Sequence, residues 1–92
     1  MLSQLPIDLK KVKKENLDQE ICRLGMIAEL DAVSLYEQLA AATSNRKIKK
    51  ILLDVAREEK THVGEFQSLL FTIDQEQVQE LKKGEKEVRE IK

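Results

Sequence analysis

Between Leu17 and Leu70 the chain has a single break, the polar triplet Thr43–Ser44–Asn45, and on either side of it apolar residues recur in steps of three and four. That period marks amphipathic α-helix, because 3.6 residues per turn bring positions i, i+3, i+4 and i+7 to one side. Asn16 with Gln19 three residues on has the pattern of a capping box, which opens a first helix from about Leu17 to Ala42. The triplet supplies N-cap residues for a second helix from about Arg46 to Leu70. So short a connection predicts an antiparallel hairpin. Asp74 with Gln77 marks another cap, and Val78, Leu81, Val88 and Ile91 carry one stripe through a shorter third helix that Gly84 weakens. No stretch alternates with the period of a strand, so the fold class is all-α. Residues 1–15, with Pro6 and the lysines of "KKVKK" (Lys10 to Lys14), read as an irregular or loosely helical leader. Residues 16–72 then form the hairpin and 73–92 a C-terminal helical segment.

The first helix has more apolar surface than one neighbour needs. One row is Cys22, Met26, Glu29, Val33, Tyr36, Ala40; another is Ile21, Leu24, Ala28, Leu35, Leu39, Ala42, and Ile27 and Leu30 widen it. A helix in a two-helix hairpin buries one stripe, so this breadth predicts further neighbours. A hairpin alone also has too little core to be stable. Association with other copies of the chain meets both needs.

Composition excludes several classes of partner. With a net charge of −1 no global field recruits nucleic acid, and the lysine cluster beside Glu15 reads as a solvated leader. No run approaches the roughly 18 apolar residues of a membrane span, and no signal-peptide core follows Met1. A cytosolic protein is expected. Cys22 is the only cysteine, which rules out an intrachain disulfide and reads as core.

The second helix interrupts its own seam. Steps of three and four give Ile48, Leu52, Val55, Glu59, His62, Phe66, Leu69, with an acid and the chain's only histidine at the centre. Glu29 interrupts the first helix in the same way. Glu29 is 14 residues before Thr43 and Glu59 is 14 after Asn45, so both stand roughly 21 Å above the turn. Antiparallel packing brings them level, with His62 one turn away on Glu59's face. No Lys or Arg shares these rows, and an uncompensated buried charge costs several kcal/mol. A divalent cation resolves that conflict by drawing oxygen and nitrogen donors together.

Carboxylate dimetal bundles take a Glu from each of two helices and a Glu-x-x-His pair from each of the other two. This chain supplies half of that set, and two copies related by a two-fold axis supply all of it, with four carboxylates balancing two divalent ions. The bland alternative is a solvated helix face with an incidental histidine.

With those residues in place, the chain resembles the encapsulated ferritin-like family, a branch of the ferritin-like superfamily. "AELDAVSLYEQLA" (Ala28 to Ala40) is similar to its first-helix motif and "REEKTHV" (Arg57 to Val63) to its second, within a likeness running from about Leu17 to Phe71. The resemblance implies a two-helix protomer that pairs into a ferritin-like four-helix bundle, with pairs assembling into a ring, commonly a decamer. It implies a ferroxidase with two irons per dimer, working inside an encapsulin shell that stores the mineral. By position, the catalytic iron ligands are Glu29, Glu59 and His62 from both partners. Tyr36 falls where the family has a tyrosine near the centre, and Asp31 matches an outer acidic position thought to attract incoming metal. Ala28 stands where some members carry a second such acid, and Leu35 where some carry tryptophan. No shell-docking tail is recognisable after Gly84, so the expected shell protein rests on kinship.

Carboxylate-rich ligation suits iron and manganese; Zn²⁺, Mn²⁺ and Ca²⁺ are the expected substitutes, and Zn²⁺ should inhibit. Met26 reads as packing, and Glu37, Asp54, Glu58 and Glu65 as surface acids. Two rival readings are a rubrerythrin-like peroxide reductase, whose iron–thiolate site one cysteine cannot build, and a non-catalytic oligomerisation or adaptor hairpin.

Overall fold

The computed structural model describes residues 8–92, so Pro6 and the start of the expected leader lie outside the described residues. Two short 3₁₀ turns, Leu9–Lys11 and Lys14–Asn16, lead into α1 (Leu17–Ala42), α2 (Arg46–Ile73) and α3 (Gln75–Arg89). The all-α hairpin with a C-terminal helix is as the periodicity requires. Most contacts between elements join α1 to α2.

The caps explain the boundaries. Asn45 Oδ1 accepts from the backbone N–H groups of Lys47 and Ile48, both at 3.1 Å, two of the donors that the first turn of α2 leaves unpaired. Asp74 Oδ1 accepts from Gln77 N–H at 3.0 Å and starts α3. The same residue ends α2, its own N–H reaching Leu70 O at 2.9 Å, which carries α2 three residues beyond the expected Leu70. The Asn16–Gln19 capping box does not form, since Asn16 has helical backbone angles and makes no side-chain cap. Gln19 instead donates from Nε2 to Ile73 O at 3.0 Å. It satisfies the far end of α2, where antiparallel packing has brought that end beside the start of α1.

The core is thin. Cys22, Val33 and Ala40 of α1 and Ala56 and Leu70 of α2 are buried, and none is large and wholly enclosed. All three α1 residues belong to the row that contains Glu29. In α2 the buried line is offset from the expected seam: Ile48 and Leu69 are 51% and 56% exposed. The row from Ile48 to Leu69 is therefore the flank of the interface, and small Ala56 takes the inward position.

The radius of gyration, 16.4 Å, exceeds the ~12 Å expected of a compact chain of this length. The extents are 47 × 44 × 20 Å. At 1.5 Å per residue α2 spans about 42 Å, and the non-helical backbone of Asp74 turns α3 away from the axis of α2. Its joint is tied down by Arg23, which meets Asp74 Oδ2 at 2.8 Å and Glu20 at 3.2 Å. Beyond the joint α3 has no buried residue, and Val88 and Ile91 are 68% and 75% exposed.

Candidate metal centre

The matched heights read from the sequence bring three side chains together. His62 Nδ1 lies 3.3 Å from Glu29 Oε2 across the hairpin and 3.5 Å from Glu59 Oε2 one turn back on its own helix. One donor atom from each of the three lies within 4.8 Å of the others. The carboxylates are about one-fifth exposed and the imidazole is 43% exposed, so the cluster is roofed by the hairpin on one side and open on the other.

Two of the three groups hold their protons more tightly than they would free in solution. A hydrogen bond with Glu59 pushes the Glu29 carboxyl above the usual range, burial adds to the rise, and His62 partly offsets it. The Glu29 hydrogen bond likewise raises His62 above its ordinary value of 6.5, against a lowering by burial. With both carboxylates ionised they only accept, and Nδ1 would then be the donor between them. No described basic side chain takes that place: Lys60 pairs with Glu37 at 3.2 Å and Arg57 with Asp54 at 3.1 Å.

The donor set is two carboxylate oxygens and one imidazole nitrogen, which fits a divalent first-row ion with open positions. Cys22 is buried two turns of α1 away and adds no sulfur. Tyr36 is half-buried and seven residues past Glu29, about 10 Å along the axis, so it is outside the cluster. Asp31 follows Glu29 by two residues, a rotation of about 200°, and so projects from the other side of α1. Glu37 and Asp54 are in the surface ion pairs above, and Glu58 and Glu65 are exposed.

The face around the cluster is apolar. Helical phase puts Ile21 and Leu39 of α1 and Ile48, Ile51, Leu69 and Ile73 of α2 on the same side of the hairpin as the His62 ring. Each of these is between 42% and 61% exposed. The opposite side carries a separate groove of about 300 Å³ between the hairpin and the start of α3, lined by Met26, Leu30, Phe71 and Leu81 among others. Sequence reasoning found the three donors but not what braces them. Phe66 lies so close over Gly25 that a Cβ there would be 2.7 Å from its ring. The only sequence signal of that contact is a glycine inside a strong helix.

The family model described as EncFtn-like matches residues 6–83. The chain is 58% identical over 82 residues to a ferritin-like-encapsulin shell fusion protein of Pyrococcus furiosus, covering 89% of this chain and 24% of that protein. It is 36% identical over 83 residues to the encapsulin nanocompartment cargo protein EncC of Myxococcus xanthus, covering 87% of this chain and 64% of that one. The chain thus spans about a quarter of the first relative and under two thirds of the second. Among solved structures, the crystal structure of the encapsulated ferritin domain from Pyrococcus furiosus matches with a TM-score of 0.84 at 53% identity, over 99% of this chain and 95% of that one. No helix among the described residues is long and apolar enough to cross a membrane. By its sequence and its fold alike, this chain belongs to the EncFtn-like family.

Proposed function

We propose that the chain is a ferroxidase, oxidising Fe²⁺ to Fe³⁺ at a two-iron centre that forms when two hairpins meet face to face. The observation that carries this reading is the position of Glu29, Glu59 and His62. They match half of a dinuclear ligand set and lie partly exposed on an apolar face. A second copy turned over a two-fold axis covers that face, completes the ligands and makes a four-helix bundle. Such pairs are building units for a larger ring. Residues 16–72 are the catalytic hairpin, and 73–92 an arm outside it.

Fe²⁺ is the substrate. Four carboxylates from the two partners neutralise two Fe²⁺ ions, and oxidation to two Fe³⁺ leaves an excess charge of +2 that solvent-derived hydroxide would balance. Each iron gives up one electron, and the pair passes two together, with two protons from solvent, to dioxygen, giving hydrogen peroxide, or to hydrogen peroxide, giving two waters. Two-electron delivery avoids releasing a one-electron-reduced oxygen species. A proton held on His62 would pass to solvent when iron enters, leaving a ring nitrogen free to serve as the nitrogen donor. The names of the relatives support an encapsulin shell as the surroundings, and storage of the ferric product is the purpose proposed with it.

Aerobic addition of Fe²⁺, followed by near-ultraviolet absorbance, tests the reading. Wild type should oxidise iron far faster than Glu29→Ala, Glu59→Ala or His62→Ala; equal rates in all four would sink it. Zn²⁺, which takes O/N sites tightly and has no redox chemistry, should inhibit.

A further inference from the structure

Gly25 stands in the interior of α1, where glycine weakens a helix relative to alanine. Its backbone does not require glycine, since no glycine among the described residues has a positive φ. The Phe66 ring of α2 requires it. A Cβ at position 25 would stand 2.7 Å from Phe66 Cδ1 and Cε1 and 2.8 Å from Cγ, whereas Gly64 and Gly84 have nothing within 4 Å. Cγ is the telling atom. It is bonded to the Phe66 Cβ, so spinning the ring about its own axis leaves it in place, and only a new χ1 or a retreat of the helix relieves the clash.

The contact lies one turn from the donor cluster on both helices. Glu29 follows Gly25 by four residues, and His62 precedes Phe66 by four, the spacing of neighbours on one helix face. Glu59 and His62 share α2, so their 3.5 Å contact is local, while the 3.3 Å contact of His62 with Glu29 spans the two helices. Any change in helix separation here moves Glu29 away from a Glu59–His62 pair that stays assembled.

We infer that the Gly25–Phe66 contact is the spacer that sets the distance between α1 and α2 at the level of the metal donors. Gly25 and Phe66 are thus positioning residues for Glu29 against His62. The inference rests on reading Glu29, Glu59 and His62 as metal ligands, and the experiment separates the two.

Co²⁺ binding to the full chain is measured by calorimetry and by its visible absorption in wild type, Glu29→Gln, Gly25→Ala, Phe66→Leu and the double variant Gly25→Ala/Phe66→Leu. Gly25→Ala should bind Co²⁺ about tenfold to a hundredfold more weakly, with altered bands. The double variant, with a smaller side chain opposite the new methyl, should recover to within about threefold of wild type. If Gly25→Ala does not fold, the double variant decides: it should fold and bind, and failure to do either overturns the spacer. Affinity and spectrum unchanged in Gly25→Ala, beside a wild type that binds better than Glu29→Gln, overturn the spacer alone. A wild type no better than Glu29→Gln overturns the metal reading, and the positioning role with it.

Discussion

His62 Nδ1 on α2 stands 3.3 Å from Glu29 Oε2 on α1, although 33 residues separate them in the chain. Both groups are held above their ordinary pKa by hydrogen bonding, Glu29 first by Glu59 and His62 first by Glu29. Protons on the two groups therefore compete with a metal for the cluster.

That competition sets a pH dependence whose sign is the same for both groups. A folded pKa raised above the unfolded one contributes stability below the unfolded value and loses it as pH rises through the folded value. The apo protein should lose stability first as pH climbs above 4.5, through Glu29, and again above 6.5, through His62. Metal affinity runs the other way, because each bound ion must expel those protons. The rise in melting temperature on adding Mn²⁺ should therefore grow between about pH 5.5 and about pH 8. A metal-induced rise that is flat or shrinks with pH contradicts it.

Without metal, the acids work against the packing of the face that carries them. Replacing Glu29 and Glu59 together by Leu should abolish metal binding and raise the apo melting temperature by several degrees, about 1 kcal/mol being worth ~4–8 °C in a chain of this size. A lower melting temperature with the fold retained would mean that the acids stabilise the apo state.

Metal should hold two copies together. Native mass spectrometry or size exclusion should show more dimer and larger assembly with Fe²⁺ or Mn²⁺ under anaerobic conditions than with chelator, and His62→Ala should remove the difference. A monomer under both conditions is the adverse result.

Asp74 has two tasks at the joint, capping α3 at Gln77 N–H and pairing with Arg23. Asp74→Ala should cost about 1 kcal/mol for the cap, with a smaller addition for an ion pair whose arginine is partly solvated. Asp74→Asn retains the cap and should lose only the smaller part. Hydrogen exchange at the first turn of α3 should quicken in the alanine variant and stay slow in the asparagine one.

Much of the hairpin was legible because its signals are local. Asn45 and Asp74 cap the helices that follow them, and one polar triplet between two apolar periods leaves little choice of topology. The level meeting of Glu29 and Glu59 was legible too, since equal residue counts from a tight turn are equal heights when each residue rises 1.5 Å. Gln19 was misread for the opposite reason. Its sequence neighbour Asn16 is a credible capping partner, but Ile73 O, 54 residues away, is the acceptor that packing delivers.

The helices, their antiparallel order and the gathering of two acids and one imidazole at one height follow from local signals, because hydrogen bonds within a helix fix rise and rotation locally. Tertiary structure decided the rotation of α2, which turns Ala56 and Leu70 inward and leaves Ile48 and Leu69 on the flank. It also decided the seating of Phe66 on Gly25 and the angle at which α3 leaves. Those depend on which side chains fit between two particular helices, and steric fit at a contact is a property of both surfaces at once.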